Sequence, residues 1–171
     1  MITIRPERQA DHAAIDDVNR VAFGRENEAG LVENLRRSST FIPELSVVAV
    51  KDGSVVGQIL FSPIAIQMGH SNLPALALAP MAVRPEYQNQ GIGSELVRHG
   101  LRQCRDLGHK VIVVVGHPEY YPRFGFSLAR AKGLEAPFPV PDEAFLVLEL
   151  VPDALEGIKG VVNYPPEFAD V

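Results

Sequence analysis

The chain has 171 residues, 46% of them apolar, which is enough for one packed core and unlike the composition of a disordered polymer. Its 21 acidic against 16 basic residues give a formal charge of −5, and no Lys/Arg block of the kind that tracks a phosphate backbone is present, which argues against a nucleic-acid partner. The lone Cys104 rules out an internal disulfide, the segment Met1-Ile2-Thr3-Ile4-Arg5-Pro6 lacks the apolar stretch of a secretory signal, and no apolar run approaches the roughly 20 residues that cross a bilayer, so the expectation is a cytoplasmic protein with no membrane association.

Residues 3–5 form a short strand candidate. Asp11 can then cap a helix whose apolar positions Ile15, Val18, Ala22 and Phe23 recur at helical spacing, until Gly24 breaks it. Residues 28–37 predict a second short helix with Leu31, Val32 and Leu35 on its inner face. Residues 45–50 and 55–66 are rich in Val, Ile and Phe, and the Asp52-Gly53 pair between them favours a tight turn, so this is a hairpin. A third extended run, residues 73–83, follows the polar turn at 69–72 and stops at Arg84-Pro85.

From 91 to 107 the spacing of Ile92, Leu96, Val97, Leu101, Cys104 and Leu107 follows a helix, and residues 110–115 read as a strand buried on both faces. Strand, helix, strand in that order implies a right-handed crossover and two parallel strands. Residues 119–124 suggest one irregular helical turn, and 126–129 and 145–151 suggest further strands. This divides the chain into a domain of residues 1–151 and a C-terminal extension, 152–171, expected to be loosely ordered or to hug the surface.

The informative stretch runs Leu78-Ala79-Pro80-Met81-Ala82-Val83-Arg84-Pro85-Glu86-Tyr87-Gln88-Asn89-Gln90-Gly91-Ile92-Gly93-Ser94. A strand leads through a short polar loop with two glycines into a helix, which turns unpaired backbone N–H groups outward at the positive end of the helix dipole. Such a place binds phosphates, and the glycines let an anion approach the donors closely. A P-loop would need Gly-Lys followed by Ser or Thr, and a dinucleotide loop would need a glycine where Leu96 stands, so both are disfavoured.

What remains, Gln88-x-x-Gly91-x-Gly93, resembles motif A of the GNAT superfamily of acyl-CoA-dependent N-acyltransferases, in which Gln or Arg is followed after two residues by Gly and, one residue on, by Gly or Ala. Downstream, Gly116-His117-Pro118-Glu119-Tyr120-Tyr121-Pro122-Arg123-Phe124-Gly125-Phe126 looks like motif B, with Tyr121 four residues before a Gly-Phe pair. The spelling is similar to a small bacterial subgroup of predicted N-acetyltransferases. Many relatives carry Asn soon after the strand where this chain has Gly116-His117-Pro118, so a contact from that Asn to the pantetheine arm does not carry over. The resemblance spans residues 3–151. It implies an α/β (α+β) fold with a mixed, mostly antiparallel twisted sheet of six to seven strands, about four helices and a V-shaped opening between the central parallel strands.

The resemblance also implies a chemistry. Acetyl-CoA is the donor, its pyrophosphate held by Gln88, Asn89, Gln90, Gly91, Ile92, Gly93 and Ser94, and its pantetheine amides paired with the backbone of Met81, Ala82 and Val83 like an added strand. A primary amine of a small molecule or protein attacks the thioester directly, with no metal and no covalent intermediate; Cys104, on the inward helix face, reads as packing. Tyr121 is the expected proton donor to the leaving thiolate, since a phenol's ordinary pKa of about 10 lies near that of an alkyl thiol, about 8.5. Glu28 and Glu33 are candidate bases for the incoming amine, and His117 is an alternative whose structural reading as a cap is equally open. Two other functions compete: a non-catalytic acyl-CoA-binding or sensing module, which needs the glycines but not Tyr121, and a small kinase, against which the missing Gly-Lys-Ser/Thr argues. An exposed final strand would let two copies pair as a homodimer.

Overall fold

The computed structural model describes residues 1–171, in nine strands and three α-helices joined by short 3-10 turns. The chain forms two compact units, Met1–Ser62 with Ala79–Gln103 and Pro166–Val171, and Pro63–Leu78 with Cys104–Pro165.

The first unit is built on β1 (Ile2–Pro6), β2 (Ser46–Lys51), the opening of β3 (Ser54–Met68) and the close of β4 (Ser71–Val83). β1 runs antiparallel to β2 from Ile2 opposite Lys51 to Pro6 opposite Val47, and β2 runs antiparallel to β3 with a bulge between Ala49 and Val50. The hairpin turn forms as the sequence predicts: Asp52 and Gly53 both have positive φ, 50° and 79°, the pairing that matches strand twist in a two-residue loop. Helices α1 (His12–Phe23) and α2 (Asn27–Arg37) lay Ile15, Leu31, Val32 and Leu35 on Val48 and Leu60, each buried side chain contributing about 1.5–3 kcal/mol.

Asp11 stands at the start of α1 with its carboxylate turned back, accepting from Arg8 N–H at 2.7 Å and from Arg5 at 2.7 and 3.1 Å. It therefore caps the preceding turn (Gln9–Asp11) and ties it to β1. Under the helices runs a buried polar string that no sequence pattern announces. Asn19 Nδ2 donates to Gln58 Oε1 at 2.9 Å, Gln58 Nε2 to Ser46 Oγ at 3.1 Å, and Ser46 Oγ to the Glu7 carboxylate, which also takes Arg36 Nε at 2.8 Å. Such groups persist in a core because most find partners; the exception here is Asn19 Oδ1, buried without one. The last residues return to this unit: Phe168 packs on the apolar cluster and Asn27 Nδ2 donates to Asp170 O at 2.6 Å.

The second unit holds the rest of β3 and β4 with β5 (Val111–Val115), β6 (Ser127–Leu128), β7 (Leu134–Glu135), β8 (Phe145–Glu149) and β9 (Gly160–Asn163). β4 and β5 are parallel, as the crossover rule demands, pairing at Leu76 with Ile112 and Ala77 with Val113. β8 runs antiparallel to β5 from Val111 opposite Glu149 to Val115 opposite Phe145, and β6 adds to β8. Strands β7 and β9 raise the count above the expected six to seven. Both are too short to show a period of two, and β9 lies in the tail that the sequence reads as a loose extension. There Val162 is fully buried and Ala65, Ile66 and Gln67 of β3 supply its antiparallel partners. The expected fourth helix is a 3-10 turn, Tyr121–Phe124, ended by Gly125.

Candidate acyl-donor site

The pairing of β4 with β5 is confined to Leu76 and Ala77, so within the first unit residues 79–83 have β3 on one side and no paired strand on the other. Its outward main-chain groups are free to pair with an extended chain carrying amides, the geometry of strand addition. Ala82 and Val83 are buried and Met81 half-buried, so the side chains anchor the strand while the backbone edge is available. Arg84 N–H bonds Val56 O at 2.8 Å and carries the β3 pairing one residue further, before a 3-10 turn (Pro85–Tyr87) reverses the chain.

The loop that follows is shaped by its own side chains. Gln88 Nε2 donates to Val83 O at 3.0 Å, bracing the loop against the end of β4, and Gln90 Nε2 reaches Glu86 O at 3.4 Å. Asn89 and Gly91 take left-handed φ, 63° and 84°, which Asn and Gly adopt at the least cost. The first bond of helix α3 (Ile92–Asp106) is Glu95 N–H to Gly91 O at 3.0 Å, so the amides before it have no carbonyl inside the helix. A Cβ on Gly91 would meet nothing within 4 Å. The loop is thus an open concavity of main-chain donors on a helix start, which suits a diphosphate. Gln88, Asn89, Gln90 and Gly91 are exposed, Gly93 and Ser94 half-buried, and Ile92 is buried as the first apolar anchor of α3.

On the far side of α3 most of the apolar face predicted from spacing is present, with Ile92, Leu96, Val97, Leu101 and Cys104 buried, but Leu107, expected on the same face, lies past the helix end and is exposed. Burial pushes the Cys104 thiol up to about 12, so its thiolate is scarcely populated at neutral pH.

The two candidate bases have different surroundings. Glu28, 4% exposed, is clamped by the Arg25 guanidinium, whose Nε donates at 2.9 Å and whose second nitrogen also bonds the carboxylate. Glu33 is half-buried and faces Asp16 of α1. Burial first, then hydrogen bonding to Glu33 and the charge of Glu33, lift the Asp16 carboxyl to about 6 against the pull of Arg36 and Arg20, and Asp16 Oδ1 is buried with no partner. Asp16 was invisible in the sequence because its partner lies on the next helix.

In the second unit, Tyr121 opens the 3-10 turn with its ring 6% exposed, edge-on to Tyr120 (centroids 5.1 Å, 87° between planes) and to Phe126 (5.6 Å, 69°). Burial, and then the neighbouring Tyr120, push the phenol above its ordinary value. His117 is exposed, and its carbonyl accepts Tyr120 N–H at 3.1 Å.

An unpaired strand edge running into an amide-lined helix start has the geometry to hold an extended, diphosphate-bearing ligand. The chain matches the family model of the GNAT acetyltransferase domain over residues 3–129, and it belongs to the GNAT family of N-acetyltransferases. It is 37% identical over 166 residues to the uncharacterized N-acetyltransferase YhbS of Escherichia coli K12, covering 96% of this chain and 97% of that protein. With the uncharacterized N-acetyltransferase YjhQ of the same organism it shares 41% identity over 137 residues, 79% of this chain and 75% of the other. Among solved structures, YhbS in complex with CoA superposes with a TM-score of 0.91 over 98% of this chain and 92% of that one. A GNAT family acetyltransferase from Brucella melitensis in complex with acetyl-CoA, 34% identical, gives 0.81 with 98% of each chain covered.

Proposed function

We propose that this protein transfers an acetyl group from acetyl-CoA to the primary amine of a small molecule or protein by direct attack. The observation that carries the reading is the run from the free edge of β4 to the start of α3, with Gly91 at φ 84° and open space above it. The amides from Gln88 to Ser94 would hold the diphosphate, and the backbone of Met81, Ala82 and Val83 would pair with the pantetheine amides, their N–H donors also available to polarise the thioester carbonyl. The thioester supplies an activated acyl group.

The chain's own residues then move protons. Glu33, half-buried beside Asp16, would take the proton of the incoming ammonium; it is better placed for that task than Glu28, which Arg25 holds as an ion pair. Tyr121 would donate to the departing sulfur. Burial keeps the phenol protonated at working pH and makes it a weaker acid than a free tyrosine, so the transfer to sulfur depends on the phenol being held close to it. The net charge of −5 mildly favours a cationic acceptor.

Calorimetry with CoA and acetyl-CoA, followed by mass spectrometry of acetyl-CoA incubated with pooled primary amines, tests the whole reading. Micromolar uptake and an acetylated amine are expected. Uptake without transfer to any amine would leave an acyl-CoA-binding module, and no uptake would remove the donor site.

A further inference from the structure

The geometry points to Gly116 as a positioning residue for Tyr121: the missing Cβ of Gly116 leaves the space that the Tyr121 ring occupies, and so sets where the phenol stands. This rests on the proton-donor reading of Tyr121. A Cβ built on Gly116 would lie 2.5 Å from Tyr121 Cε2, 3.1 Å from Cδ2 and 3.5 Å from Cζ. The φ of Gly116 lies outside the left-handed region, so its backbone would accept alanine; only the ring forbids it.

Neither side of this contact yields easily. Gly116 N–H bonds Ala144 O at 2.9 Å, which fixes its main chain to the turn leading into β8. The ring is boxed by Tyr120 and Phe126, and Tyr120 is itself covered by Arg123, whose guanidinium carbon sits 4.6 Å from its ring centre and whose Nε donates to Tyr120 O at 3.3 Å. Restoring an ordinary carbon contact would move the ring by about 1 Å, and the hydroxyl, further from the backbone, by at least as much. A displacement of that size at a reacting group costs about 10²-fold in rate. Within Gly116-His117-Pro118 it is therefore Gly116 that seats Tyr121.

The test compares Gly116→Ala, Tyr121→Phe and the double variant in thiol release from acetyl-CoA with the pooled amines, alongside ¹⁹F NMR of protein labelled with 3-fluorotyrosine. Of the four tyrosines, the Tyr121 resonance is identified by its loss in Tyr121→Phe. Gly116→Ala should lower kcat about 10²-fold with KM for acetyl-CoA within twofold, shift the Tyr121 resonance while leaving that of Tyr164 in place, and add nothing in the Tyr121→Phe background. Unchanged kcat or an unmoved Tyr121 resonance in Gly116→Ala, with Tyr121→Phe impaired, overturns the positioning role and leaves the proton donor standing. Full turnover in Tyr121→Phe instead removes the proton donor, and the role of Gly116 with it. If Gly116→Ala does not fold, adding Tyr121→Leu should restore its melting temperature; a double variant that stays unfolded shows that the ring is not what Gly116 accommodates.

Discussion

The two units would serve the proposed reaction by opposite means. In the first, the proposed donor loop would act through main-chain amides, while the Gln88 side chain braces it against Val83 O. In the second, the Tyr121 turn would act through one phenol, which is held among aromatic rings and against the backbone of Gly116. A site made of backbone tolerates most substitutions except those that change φ or fill space. A site made of one side chain fails with the loss of one atom.

That contrast is sharpest at the phenol. Tyr121→Phe should cut turnover roughly 10²-fold or more while acetyl-CoA affinity stays within about twofold, read by steady-state kinetics beside calorimetry. A parallel loss of affinity would mean that the ring holds the donor rather than serving the leaving group. On the backbone side, Gly91→Glu places a charged side chain where φ is 84°, at the proposed phosphate site. Losing charge-assisted hydrogen bonds of about 1.5–3 kcal/mol corresponds to CoA binding weakened roughly ten- to a hundredfold, with the fold retained by circular dichroism.

A smaller effect attends the carboxyl pair. Folded Asp16 keeps its proton to about pH 6, against 3.8 for an ordinary aspartate, so the folded chain binds the extra proton in that interval and stability falls as pH rises through it. Asp16→Asn should therefore raise the melting temperature at pH 7, with the gain fading below pH 4, and should shift the acidic limb of the kcat/KM profile. Thermal melts across pH 3.5–8 decide this; a gain that persists at pH 3.5 would assign it to packing instead. The smallest expected change is at Cys104, where burial holds the thiol near 12: iodoacetamide at pH 8 should label it only after denaturation, and Cys104→Ala should leave turnover unchanged.

Much of this was legible in the residues alone. The hairpin at Asp52-Gly53, the buried run of β5, the apolar face of α3 and the glycine loop before it are all local patterns, set by φ preferences and by periods of 2 or 3.6 residues. The Gln88-x-x-Gly91-x-Gly93 spelling sufficed to predict the strand-loop-helix turn proposed to hold the donor, because such a turn consists of consecutive backbone groups, which lie together in space whenever they lie together in sequence. Tertiary structure alone decided the rest. Asp16 meets Glu33 across two helices, Glu28 is spent on Arg25, Asn19, Gln58, Ser46 and Glu7 join into a string, and β9 finds its edge on β3. Each of these is a meeting of side chains or strand edges that no local period links, and long-range contact carries no periodicity by which it could have been read.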